Sequence, residues 1–318
     1  MSTIYLLHLS DLHLAGIFRA FYKRLGHLSL SVYDPDALTA VSEIMYNWRN
    51  FIDGILISGD IATTGSNNDL QSALDIFSTP DNFIPGQNWL SDKRKPTLKP
   101  EGFNKPIILV PGNHDRYANL SGFPGKKYYQ YFYSYWPVGI GGVQSCFLPN
   151  EKVPILAIVC ADFSLNDIGD CSCFGGHFGQ GRVYKDRLQK LVQETQRIAK
   201  SYPECGIIWM LHFAPKFEKK RHLRDQLILL DSDDLIEAAE KLGVNYFFCG
   251  HTHQYLDYSA TVHGSVKIHC AGTSTCLEND LKTTIHLRLI VIENGKVIQV
   301  KSKTYCYDPK RQVFSDTL

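Results

Sequence analysis

Neither sign of charge prevails in this sequence. Its 33 Lys and Arg against 32 Asp and Glu leave a formal charge of +1. The chain therefore lacks the whole-molecule basic field of a sequence-independent nucleic-acid binder. No stable nucleic-acid complex is expected, and an anionic substrate must be held locally. Long apolar runs are missing too. The apolar stretch 1–9 has no basic segment and is closed by Asp11 and His13, far short of a membrane span. We read it as a strand in a cytoplasmic protein. Cysteine pairing is also absent: the nine Cys are scattered, with Cys160, Cys249 and Cys270 inside apolar runs, the pattern of buried reduced thiols. Cys171 and Cys173 stand close together, but no second pair at finger-like spacing accompanies them, so neither a disulfide nor a structural metal is expected there. Internal repeats and low-complexity tracts are not found.

What is present suits a globular protein. At 318 residues, with 44% hydrophobic and 20% charged residues, the chain can bury roughly three quarters of its extended surface without staples. Strand-like apolar runs at 4–9, 54–58, 106–110, 154–160, 206–211 and 245–249 alternate with amphipathic segments, which predicts an α/β fold. Asp34-Pro35 reads as an N-cap and first helical residue ahead of Leu38, Val41, Met45, Trp48 and Phe51. Further helices are expected over about 184–200, with Leu188, Leu191, Val192, Thr195 and Ile198 on one face, and over 233–242, capped by Asp or Ser and closed by Gly243. From about 254 to 305 the pattern becomes short alternating strands, read as antiparallel, the last two joined by an Asn294-Gly295 hairpin turn. We treat 1–318 as one domain with rim insertions at about 79–105 and 116–142.

Ionisable ligand types fall at the ends of the predicted strands. The first ends in Asp11-Leu12-His13, the second in Gly59-Asp60, the third in Gly112-Asn113-His114-Asp115, a later one in His212, and the next in Gly250-His251-Thr252-His253. Carboxyl ends of strands in an open α/β sheet share one edge, where ligands bind. Two carboxylates, an amide oxygen and four imidazoles gathered there need positive charge between them. Mixed oxygen and nitrogen donors suit Mn²⁺, Fe²⁺ or Fe³⁺, Zn²⁺ or Co²⁺ better than Ca²⁺ or Mg²⁺. Seven ligands exceed one tetrahedral site, and two ions about 3.5–4 Å apart, bridged by a carboxylate, accommodate them. The glycines before Asp60, Asn113 and His251 allow sharp turns that bring backbone near an ion.

The ordered set D-x-H, GD, GNHD, H and GHxH resembles the calcineurin-like metallophosphoesterase superfamily, and the resemblance spans Asp11 to His253. It implies a four-layer αββα fold, a central β-sandwich of mixed sheets flanked by helices. It assigns Asp11, His13 and His253 to one metal, Asn113, His212 and His251 to the other, and Asp60 as the bridge. His114 is left to face the scissile phosphate and stabilise the transition state or protonate the leaving oxygen. The implied activity is a phosphohydrolase working by in-line attack of a metal-bound hydroxide. The second motif, Gly59-Asp60-Ile61-Ala62-Thr63-Thr64-Gly65, lacks the acidic residue and the Arg of protein phosphatases, and Thr63 stands where purple acid phosphatases place a ligating Tyr. Diacylglucosamine pyrophosphatases share a similar DLHL start but usually carry Arg where His114 stands. His8-Leu9-Ser10-Asp11-Leu12-His13 and GNHD look most like class III cyclic-nucleotide phosphodiesterases, although His212-Phe213-Ala214-Pro215 lacks the second His of a His-His-Pro turn. A small phosphodiester such as a cyclic nucleotide is thus the expected substrate. The alternatives are a nuclease, a phospholipid-headgroup or glycerophosphodiester phosphodiesterase, or a catalytically silent binding scaffold. Oligomeric state is left open, with a dimer allowed.

Other residues carry plainer readings. His8 reads as a satisfied core His, Asp115 as a helix cap or an orienter of His114, and His177 as part of a glycine-rich turn. The basic run Lys216, Lys219, Lys220, Arg221 and Arg224 reads as a solvated face that would overhang the site. The aromatic run 128–136 could stack a nucleobase, but Tyr128, Phe132, Tyr135 and Trp136 fit a helix face packed in the core. His27, His222, His263, His269 and His286 are assigned no role.

Overall fold

The structure, a computed structural model, describes residues 1–15, 33–77, 96–117, 125–149, 153–166, 179–216, 227, 229–262, 265–277 and 281–316. Cys171, Cys173, His27, His177, His222, His263, Lys219, Lys220, Arg221, Arg224 and most of the 79–105 stretch lie outside the described residues.

Two six-stranded mixed sheets form the centre. In the first, β1 (Ser2–Leu9) lies between β2 (Gly54–Ile57) and β12 (Thr284–Glu293). The parallel strand β3 (Ile107–Leu109) continues one side, and β13 (Lys296–Asp308) and β14 (Val313–Asp316) continue the other. The second sheet runs β10 (Leu256–Ala260), β11 (Val266–Cys270), β9 (Tyr246–Cys249), β7 (Gly206–Met210), β5 (Leu156–Ala161), β4 (Val143–Leu148). A small pair, β6 (Gly181–Arg182) with β8 (Leu229–Leu230), stands apart. Strands β2, β5 and β9 are buried along their whole length because both faces are covered.

Helices cover the outer faces. One core joins Leu6, Leu56, Ile108, Ile158, Met210 and Phe248 from both sheets with Leu38, Val41 and Met45 of α1 (Pro35–Trp48) and Leu70 and Ala73 of α2 (Asn67–Asp75). A second core packs Val159, Trp209 and Phe247 of the second sheet against Leu191 and Ile198 of α4 (Lys185–Ser201) and Leu235 and Ala239 of α5 (Ser232–Leu242). The arrangement is the four-layer one expected. The short helix α3 (Lys127–Tyr131) opens the aromatic run. There Tyr128, Phe132 and Trp136 are fully buried, so core packing claims these rings.

Two expectations need correction. The strands after residue 254 do not form one antiparallel unit: β10 and β11 join the second sheet, where β11 pairs parallel with β9, while β12, β13 and β14 extend the first. The expected Asn294-Gly295 turn does connect β12 to β13, with both residues at positive φ (49° and 71°). The second correction concerns α5. Its cap position is held by Asp231 in the left-handed region (φ 59°), and no side-chain bond to the helix is made. Asp34 behaves as anticipated, accepting from the amides of Asp36 and Ala37 at 3.0 Å each. Asp34→Ala should therefore cost about 1 kcal/mol in chemical denaturation. Asp231→Gly removes no cap bond and relieves a left-handed non-glycine residue but loses the ion pair with Arg182 (3.3 Å), so it should cost less than Asp34→Ala in the same measurement.

Candidate metal centre

All five motifs meet at one edge of the sandwich. The amides of Asp11 and His13 donate to the carbonyls of Gly59 and Asp60 at 3.0 Å each, which joins the ends of β1 and β2. Asp115 then ties in the third motif: its carboxylate accepts from the Ala62 amide at 2.8 Å and the Gly112 amide at 2.9 Å. No helix begins at Asp115 and its carboxylate does not bond His114, so it is a brace between two loops. From the second sheet, the Gly250 amide donates to the His212 carbonyl (2.9 Å) and the His251 amide to Asp11 Oδ2 (3.0 Å).

Ligand atoms of Asp11, His13, Asp60 and His253 lie within 4.8 Å of one another, as do those of Asp60, His212 and His251. Asp60 belongs to both groups. Asn113 joins the second through Oδ1, 3.0 Å from His212 Nε2. All seven predicted ligands are thus brought together, and except for His253, which is partly exposed, they are buried.

The donor chemistry fits cations. His212 Nδ1 donates to the Ser58 carbonyl (2.6 Å) and His251 Nε2 to the Gly179 carbonyl (2.7 Å), so each ring's other nitrogen presents a lone pair when neutral. His251 Nδ1 and His212 Nε2 are 3.1 Å apart, and His212 Nε2 is 3.2 Å from Asp60 Oδ2. With His212 neutral these are three facing acceptors, so either a proton on His212 Nε2 or a cation must lie among them. In the other group His13 Nε2 and His253 Nε2 are 3.0 Å apart, and the buried Asp11 Oδ1, 3.4 Å from His253 Nε2, has no hydrogen-bond partner. Burying a carboxylate oxygen and facing imidazole lone pairs without a donor is costly unless a cation or proton lies between them.

The titration behaviour reports the same crowding. Burial pushes the Asp11 carboxyl up, and burial with neighbouring imidazoles pushes His13 and His251 down. At His212 burial acts downward, but the charges of Asp60 and Asp11 and the bonds to Asp60 and Ser58 hold it at about 9. Asp60 is kept well below the carboxylate range: burial opposes this, and His212 and His114 outweigh burial.

The backbone is bent to make this possible. Asp11, His13, Asp60, His251 and His253 all have positive φ, between 46° and 72°, a region costly for residues with a Cβ. The motif glycines act differently from the expected turns. Only Gly59 is left-handed, whereas a Cβ on Gly112 would lie 2.1 Å from Asp60 Oδ1 and one on Gly250 1.8 Å from Ser10 Oγ. Those two glycines permit close packing against the ligands.

Sequence reasoning missed the support given by 273–275. The Thr273 hydroxyl donates to the Asp11 carbonyl (2.8 Å), Ser274 exchanges bonds with Ser10, and the Thr275 hydroxyl donates to the Leu12 carbonyl. Only a Thr-Ser-Thr run after a strand hinted at it. His114 Nδ1 donates to the Thr63 carbonyl (2.9 Å), and its ring meets His13 edge-on at 4.6 Å. His8 bonds Ser58 Oγ (2.9 Å) inside the core, as read. Lys216, the described member of the basic run, pairs with Asp233 at 2.6 Å.

The model of the family described as calcineurin-like phosphoesterase matches residues 4–255. The chain belongs to this family. Among solved structures, a dimetal phosphatase from Danio rerio is similar with a TM-score of 0.53 at 12% identity, covering 94% of this chain and 98% of that one. Vacuolar Protein Sorting 29 from Cryptosporidium parvum aligns at 11% identity and a TM-score of 0.38, covering 99% of this chain and 96% of that one. No curated protein matches in sequence. A metal-dependent phosphoesterase is accordingly the family-level activity.

Asp60 contributes to both groups, so Asp60→Asn should lose metal at both positions. His253→Ala should spare the Asp60–His212–His251 group and retain part of the load. Elemental analysis of Mn²⁺-loaded, dialysed protein distinguishes the two.

Proposed function

We propose that this phosphoesterase hydrolyses a small phosphodiester, such as a cyclic nucleotide. Asp11, His13 and His253 would hold one ion and Asn113, His212 and His251 the other, with Asp60 between them; Mn²⁺, Fe²⁺ or Fe³⁺ and Zn²⁺ suit these donors. Bound cations of this kind neutralise phosphoryl charge and acidify a water.

The observation that carries the diester reading is that, among the described residues, no cationic side chain pairs with the carboxylates of the centre. Among the described residues, the ion-pair partners of Asp11 are His13 and His253 and that of Asp60 is His212; none is a Lys or Arg. Arg116, next to the third motif, is buried, donates to the Gly125 carbonyl (2.8 Å) and lies 3.8 Å from Asp162. A monoester dianion carries a second charge that such an Arg would meet, and a diester does not. His114 supplies the proton chemistry. With Nδ1 committed to the Thr63 carbonyl, Nε2 is the atom that, once protonated, delivers a proton to the leaving oxygen. A silent scaffold would be expected to lack a ligand, and the complete set supports turnover instead.

In Mn²⁺-supplemented assays, bis-p-nitrophenyl phosphate should be hydrolysed faster than p-nitrophenyl phosphate, and turnover of the monoester alone would reject the diester reading. Cyclic nucleotides, single-stranded DNA and glycerophosphodiesters then separate the substrate classes. His114→Ala should keep its metal and lose turnover by about 10²–10⁴-fold, the usual range for a lost general acid.

A further inference from the structure

A cavity of about 690 Å³, partly open to solvent, lies where β12 and β13 of the first sheet meet the 254–255 segment, and none of the seven ligands lines it. Thr284 of β12, Ser302 and Thr304 of β13, Lys282 ahead of β12, and Gln254 and Tyr255 ahead of β10 form its walls. Across β12 and β13, His286 is opposite Thr304 and Arg288 opposite Ser302, so these residues share one face. That face turns toward the second sheet, because His8, opposite His286 in β1, lies 5.3 Å from the ring of Phe248. The volume falls within the range of small-molecule sites. The 273–275 segment stands between this cavity and the metal centre: the Thr284 amide donates to the Thr273 carbonyl, and the Thr273 hydroxyl to Asp11.

The walls combine an aromatic ring with one cationic group free of an ion pair among the described residues, Lys282, beside a second pair, Lys303 and Asp316, that is neutral overall. Tyr255 is 39% exposed, yet its ring is stacked on the buried His286 (4.7 Å, 24°) and its hydroxyl donates to Asp257 at 2.7 Å. A ring fixed in this way is a stacking platform. Lys303 is neutralised by Asp316 at 2.6 Å, whereas the exposed Lys282 has no ion pair among the described residues. Arg288 is fully buried behind the wall. Its Nη1 donates to Ser302 and lies 3.5 Å from Asp257, its Nε is 3.4 Å from His8 Nδ1, and its Nη2 has no partner. Asp257 balances the guanidinium charge, and the bond from Nη1 fixes Ser302 from behind the wall, leaving its hydroxyl to donate into the cavity.

We propose that this cavity is a second small-molecule site, which takes a planar aromatic group bearing an oxyanion, carboxylate or phosphate. The ring stacks on Tyr255, and the acid is met by Lys282 and by the Ser302 hydroxyl, which Arg288 holds from behind. Gln254 and the hydroxyls of Thr284 and Thr304 bond the remaining polar edge. Gln254 directly follows His253, so the ligand abuts the fifth motif without requiring its metal.

The test is calorimetric titration of full-length, Mn²⁺-loaded protein with AMP and with benzoate, which represent the two acids. Wild type is compared with Lys282→Ala and Tyr255→Ala, and bis-p-nitrophenyl phosphate hydrolysis is followed in parallel. At least one probe should bind, and each substitution should weaken that binding by about tenfold or more, roughly the loss of one stacking or charge-assisted contact. Hydrolysis by Lys282→Ala should be unchanged, and the tighter probe identifies the acid. The proposal is overturned if neither probe shows binding that both substitutions weaken, since binding that survives them belongs to the metal centre. Should Tyr255→Ala fail to fold, surface-exposed Lys282 decides alone. Protein inert toward the ester but still binding the probe would remove the phosphodiester reading and leave this one standing.

Discussion

The centre of this molecule is an electrostatic conflict. Two carboxylates and four imidazoles are packed into two groups whose ligand atoms lie within 4.8 Å of one another, largely out of water, with ring nitrogens and carboxylate oxygens facing each other. Such an arrangement is held only at high cost in the absence of cations. Everything around it serves to keep the groups facing. Asp115 braces the second and third loops, the 273–275 hydroxyls grip the first, and the His251 amide holds Asp11 from the other sheet.

The left-handed backbone at five of the seven ligands has the same origin. In an extended strand residues two apart share a face but stand parallel and about 7 Å apart, so a chain leaving a strand converges Asp11 and His13 on one point only if its backbone bends sharply. Positive φ at Asp11 and His13, and again at His251 and His253, supplies that bend. Each costs of order 1–3 kcal/mol, and such strain persists only where surrounding bonds over-determine it. The two D-x-H and H-x-H spacings are therefore stereochemically expensive, and the sandwich that surrounds them offsets the cost.

The fold was legible where it rests on local pattern. Uninterrupted apolar runs marked β2, β5 and β9, and Asp34-Pro35 marked the start of α1, because burial and capping act within a few residues. The ligands were legible because they sit where those runs stop. What depends on distant partners was not. Nothing within β10 and β11 tells which sheet they join, since both strands alternate as a solvent-facing antiparallel strand would. The 67–75 helix α2 also went unread; it buries only Leu70, Ala73 and Asp69 and has no long apolar stripe. The role of Asp115, read as a helix cap or an orienter of His114, was hidden because its partners are an amide in its own turn and another 53 residues away.

The order of strands in the first sheet sets a timetable for assembly. Strand β1 is flanked by β2 on one side and on the other by β12, whose seven paired positions run from Ser2↔Ile292 to His8↔His286. A ribosome must therefore deliver most of the polypeptide before that side of β1 is covered. Until then the strand exposes an unpaired edge, a hazard that chaperones exist to manage. The D-x-H loop, gripped by 273–275, cannot take its final form any earlier, so metal capture belongs to the last stage of biogenesis.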